Sequence, residues 1–134
     1  MAVKRFGFRK TEKLKSRKQI ESLFLNGKNF AAFPLRITYQ FIPSEQSSLQ
    51  AGVTAGKKYF KKAVDRNRIK RLVREAYRLQ KSDLVEILKQ RKLKGSLFFM
   101  YTDKTVAPYS TVKDAMNKAL KRLEKIALAN ENPS

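Results

Sequence analysis

The stretch from Ala51 to Gln80, AGVTAGKKYFKKAVDRNRIKRLVREAYRLQ, changes its hydrophobic period partway along. Ala51, Val53 and Ala55 alternate with other residues, the spacing of a strand with one buried face. From Asp65 the apolar positions become Ile69, Leu72, Val73, Ala76 and Leu79, the spacing of a helix with one buried stripe. A strand running into an amphipathic helix sets the class as α+β, because each element must bury its one apolar face against the other.

Working upstream, Leu35, Ile37, Tyr39 and Phe41 alternate with Arg36, Thr38 and Gln40, a second strand that Pro43 ends. Ser44 to Ser48 reads as a hairpin loop joining it to the strand at Ala51. A short extended piece is expected near Phe30, and Gly52 and Gly56 are candidate points of close backbone approach. Ser16 and Gln19 can form a reciprocal cap for a helix over Arg17 to Asn26, which Gly27 closes.

Downstream, a short helix is expected over Asp83 to Lys89, capped by Ser82. Leu97 to Tyr101 is an apolar run suited to a strand buried on both faces. Val112, Ala115, Met116, Ala119, Leu120, Leu123 and Ile126 mark a last helix opened by Thr111 and Asp114. The expected order is α-β-β-β-α-β-α: a small sheet packed with helices in one domain over 1–134, with a basic arm at 1–13 and a frayed tail at 130–134.

Charge dominates the composition. Lys and Arg number 31 against 11 Asp and Glu, a net +20, while 42% hydrophobic residues suffice for a core. Such a surplus strains a compact chain by self-repulsion and calls for a polyanionic partner, with partial unfolding expected at low salt. The absence of His and Cys excludes imidazole acid–base chemistry, disulfides and thiolate zinc sites. The acids show no paired spacing suited to a metal clamp, so neither catalytic nor metal-binding residues are expected. No segment approaches bilayer-spanning length, and a cytoplasmic protein without a membrane partner is expected.

The cations concentrate on one helix. Asn67, Lys70, Arg71, Arg74 and Arg78 fall within an arc of roughly 100°, flanked by Arg66 and Arg68. Neighbouring like charges cost about 0.2–0.5 kcal/mol per pair, and only Asp65 and Glu75 offset them. Arginine holds two phosphate oxygens at once or stacks on a base, so the ridge reads as a surface for a phosphate-bearing polyanion. Lys57, Lys58, Lys61 and Lys62 precede it, near the positive end of the helix dipole.

The run KKYFKKAVDRNRIKRLVREAYR resembles the signature of the bacterial ribonuclease P protein family. The matching positions are Lys57, Lys58, Ala63, Val64, Arg66, Asn67, Arg68, Lys70 and Arg71, continued by Arg74 and Glu75. Weaker similarity extends over residues 5 to 127. Tyr59 to Lys62 is a residue longer than in many members, with Phe60 near their usual glycine, which bears on loop geometry.

The resemblance implies a two-layer sandwich around a four-stranded sheet, ribosomal protein S5 domain 2-like, with a left-handed crossover. It implies the non-catalytic protein component of a ribonucleoprotein endoribonuclease that removes the 5′ leader of precursor tRNA. Its partners would be the ribonuclease P RNA, against the Lys57 to Arg78 surface, and the leader, in a cleft between sheet and first helix; no DNA partner is expected. Mg2+ would be held mainly by the RNA. Candidate cleft residues are Ile20, Phe24, Leu35, Ile37 and Tyr39, each with a core reading beside it that is the favoured one for Leu35 and Ile37; Arg36 and Thr38 project from the opposite face of the same strand and only one set can line the cleft. Family members often carry an aromatic residue where Ile20 stands. The competing readings are a ribosomal or assembly protein and a nonspecific DNA compactor.

Overall fold

A computed structural model describes residues 17–129. The arm, the Ser16 cap and the tail lie outside the described residues. In chain order the elements are α1 (Arg17–Asn26), β1 (Lys28–Ala32), β2 (Leu35–Pro43), β3 (Ser48–Ala55), α2 (Ala63–Gln80), α3 (Ser82–Arg91), β4 (Leu93–Tyr101) and α4 (Tyr109–Ala129).

The sheet order is β1-β2-β4-β3. β2 pairs antiparallel with β1 and β4, whereas β3 and β4 run parallel. The expected hairpin between β2 and β3 is therefore not formed: β4 lies between them. The loop after β2 is anchored instead by the Ser44 N–H donating to the Lys92 carbonyl, 2.9 Å away. The central place goes to the strand with the most apolar surface on both sides. Leu97, Phe99 and Tyr101 of β4 are buried on one face, and Phe98 and Met100 are half-buried on the other. A parallel neighbour requires a crossover, which α2 and α3 supply.

One face of the sheet carries the main core. Ile37, Phe99 and Val53 stand in register across β2, β4 and β3, and the Phe99 ring lies 5.5 Å from that of Tyr77 in α2. Ile69, Val73 and Ala76 complete the buried stripe of α2, joined by Leu84 and Leu88 of α3 and Val112, Met116 and Leu120 of α4. Leu79, expected in that stripe, is 48% exposed, while Tyr77 is buried. Relative to the expected stripe, the buried face of α2 is turned by roughly 50°, with residues 100° apart. An aromatic ring reaching Phe99 outweighs one leucine.

α1 begins and ends as expected, and the Gly27 N–H closes it on the Leu23 carbonyl at 2.7 Å. A Cβ at Gly27 would stand 2.6 Å from that carbonyl oxygen and 2.7 Å from the Tyr39 oxygen, so close approach falls here. Gly56, by contrast, has open space around it. Two capping expectations also shift. Ser82 is the first residue of α3 rather than its cap, and α4 starts before Thr111, whose N–H donates to the Pro108 carbonyl.

α3 ends on Lys92 in the left-handed region, φ 55 and ψ 56. A side chain is disfavoured there, and the exposed Lys92–Glu45 pair at 3.7 Å returns little. Lys92→Gly is expected to stabilise the fold by about 0.5–1 kcal/mol, seen as a raised melting temperature. A lowered one would show that the lysine is held by something beyond its backbone.

Candidate nucleic-acid interface

The α2 ridge forms because the helix buries its opposite side on the sheet. Asn67, Arg68, Arg71 and Arg74 are exposed; Lys70, nearer the core edge, and Arg78, held against Glu75, are half-buried. Asn67, Arg71, Arg74, Glu75 and Arg78 line one shallow concavity along about three turns of the helix. The basic side chains differ in what already holds them. Arg78 is engaged by the Glu75 carboxylate through both its Nε and a terminal nitrogen. Arg66 donates to the carbonyls of Phe60, at 2.7 Å, and Lys61, at 2.8 Å, fastening the loop before α2 to its first turn. Arg68, Arg71 and Arg74 have no ion pair with a described residue, leaving their guanidinium groups to take phosphate oxygens.

Lys57, Lys58, Lys61 and Lys62 are all exposed just before α2, which lacks a side-chain cap. Uncapped N–H groups and the helix dipole add to the lysines' attraction for an anion.

The cleft is built differently from the sequence expectation. The Phe24 ring meets the edge of Phe98 at 5.3 Å, whereas Phe99, the next residue, faces Tyr77 of α2. Neighbouring residues of a strand point to opposite faces. Hence α1 lies on the side of the sheet away from α2 and forms a partial third layer. Ile20 is half-buried there, Leu23 is buried, and Phe24 is 45% exposed.

Leu35, Ile37 and Tyr39 are not with them. Leu35 and Ile37, 1% and 0% exposed, are core beneath the helices, and Tyr39 packs between Phe30 and Phe41 on that same side. Arg122 of α4 lies 4.4 Å from the Phe30 ring centre, covering this region. Residues with a period of two cannot serve both faces, and the apolar set is claimed by the core.

The face beside α1 carries Arg36, Thr38 and Gln40 from β2, which pair with Met100, Phe98 and Ser96 of β4. Arg36 donates to the Asn29 side chain at 2.7 Å, and Thr54 of β3 pairs with Met100. Of the two sets that β2 offers, Arg36 and Thr38 are thus the one beside α1, and Phe98 and Met100 join them as cleft candidates that local spacing did not single out. The signal that finds them is the alternation of β2, once the core side is assigned. Thr38 is itself buried on this face, so an aromatic ring, the Gln40 amide and the exposed Arg36 cation are what it offers a single strand.

The family model described as Ribonuclease P matches residues 8–124. A curated relative from Porphyromonas gingivalis, "Ribonuclease P protein component", is 40% identical over 119 residues, covering 88% of this chain and 87% of its own. A relative of that name from Chlorobium phaeobacteroides is 39% identical over 80 residues, 57% of this chain and 55% of its own. Among solved structures, the RNase P protein from Thermotoga maritima matches with TM-score 0.65 at 22% identity, over 83% of this chain and 96% of that one. The Staphylococcus aureus RNase P protein matches with TM-score 0.62 at 17% identity, over 84% and 94%. The two structures support the fold.

Proposed function

This chain belongs to the ribonuclease P protein family, and on that premise we propose that it grips two RNAs on different faces. It is a protein component of ribonuclease P, an endoribonuclease ribonucleoprotein of tRNA processing, and associates with the ribonuclease P RNA. The α2 ridge and the lysines before it take the phosphates of that RNA. The groove between α1 and the Arg36–Thr38–Gln40 face takes the single-stranded 5′ leader of precursor tRNA. The observation that carries this division is the placement of α1 and α2 on opposite sides of one sheet.

The chain's contribution is binding and orientation. Among the described residues no group of three or more His, Cys, Asp or Glu is placed to hold a metal ion. Magnesium is left to the RNA. Cations on the protein lower the repulsion between leader and ribozyme phosphates, which would otherwise oppose a productive complex. No helix among the described residues is long and apolar enough to cross a membrane, and the cytoplasm is the proposed setting.

Phe24→Ala tests the leader assignment. Losing one stacking face costs about 1–3 kcal/mol, so affinity for leader-bearing precursor is expected to fall roughly 5- to 150-fold. Affinity for mature tRNA should be nearly unchanged. Equal losses on both RNAs would point to damage to the fold and remove the assignment.

A further inference from the structure

Tyr59 lies among the lysines that precede α2. Its ring is 46% exposed, with the Lys58 ammonium 5.5 Å and the Lys104 ammonium 5.8 Å from the ring centre. Lys58 follows β3 and Lys104 follows β4. Because those strands are parallel and end together, Ala55 beside Tyr101, their trailing loops emerge on the same edge of the sheet.

Both loops are built around Tyr101. Phe60, buried at 5% exposure, sets its ring 6.0 Å from that of Tyr101, and Arg66 clamps the Phe60 and Lys61 carbonyls. On the other side the Tyr101 hydroxyl donates to the Thr105 carbonyl at 2.7 Å and accepts from the Ala107 N–H at 2.8 Å, bracketing Lys104. Burial raises the Tyr101 pKa above its ordinary value, which keeps that hydroxyl a donor. Thr102 adds hydrogen bonds from its N–H and its hydroxyl to the Pro34 carbonyl. One residue of the Tyr59–Phe60 pair is thus an internal anchor, and the other is held out to solvent.

A half-exposed aromatic ring on an anchored loop has low conformational entropy to lose on binding. Around it, Lys57, Lys58, Lys61, Lys62 and Lys104 face only Asp65 and Asp103 as nearby acids in sequence. Clustered ammonium groups repel one another and favour a phosphodiester, while the ring face favours a planar base. Resting on the RNA-binding reading above, we infer that Tyr59 is a stacking platform for an unpaired nucleobase, with Lys58 and Lys104 taking its flanking phosphates. An unpaired base can come from the precursor leader or from a loop of the catalytic RNA, and the chemistry of recognition is the same.

The test uses the full chain and measures affinity for ribonuclease P RNA and, separately, for leader-bearing and mature tRNA. Tyr59→Ala is expected to weaken one of these interactions roughly 5- to 150-fold, while Tyr59→Phe, which keeps the ring face, stays within about twofold of the parent. A loss on the catalytic RNA places the base there; a loss on leader-bearing precursor alone places it in the leader. Tyr59→Ala binding every RNA like the parent overturns the platform, and so do equal losses for Ala and Phe. Arg71→Ala in the same assay separates the two ideas: if it weakens RNA binding while Tyr59→Ala does not, the platform fails and the ridge stands. Unaltered far-ultraviolet circular dichroism and melting of Tyr59→Ala, whose ring is not in the core, show that the fold is retained.

Discussion

Arg71→Ala combined with Arg74→Ala is expected to weaken binding to ribonuclease P RNA about a hundredfold and to flatten its salt dependence. Both guanidinium groups are exposed on one side of α2 and have no ion pair with a described residue. A hydrogen bond to a charged group contributes about 1.5–3 kcal/mol, so each lost contact is worth roughly tenfold or more. Every released phosphate contact should also lower the slope of log affinity against log salt by about 0.7–0.9, and two contacts by about 1.4–1.8. Arg66→Ala should behave differently, because Arg66 already donates to two carbonyls and its loss first loosens the loop before α2. An unchanged slope in the Arg71–Arg74 variant would move the RNA surface off the ridge.

Phe99→Ala is expected to destabilise the fold by about 3–5 kcal/mol, the range for truncating a buried aromatic residue. Phe99 has 0% exposure in the central strand, lies in register with Ile37 and Val53, and packs on Tyr77. That loss is a large share of the roughly 5–15 kcal/mol that typically holds a domain folded. With a net charge of +20, the parent itself should gain stability from bound anions, so denaturant titrations belong in sulfate. Phe98→Ala is the matched comparison: this preceding residue points to the opposite face, is only half-buried, and should lose much less. Equal losses at the two positions would contradict the assignment of the two faces.

Much of this was legible in the residues. The bounds of α1, the two-period strand at Leu35 and the arginine ridge follow from local spacing, which the structure keeps. The position of β4 between β2 and β3 was not legible, because strand order depends on competition among distant segments rather than on any local pattern. The turn at Ser44 to Ser48 has hairpin composition, yet its N–H at Ser44 is taken by Lys92. The cleft was half legible. Ile20 and Phe24 reach the face beside α1, but Leu35, Ile37 and Tyr39 are apolar for the core's sake, and Phe98 was hidden in a run that alternates only when the neighbouring layers are known. Nor does sequence show that Arg66 and Arg78 are already engaged within the protein.

The most direct measurement is cleavage of a leader-bearing tRNA precursor by ribonuclease P RNA at low magnesium, with and without this chain. A large protein-dependent gain at the normal 5′ site, diminished by the Arg71–Arg74 variant, is the expected result. No gain from a chain confirmed to be folded and bound to the RNA would contradict the account.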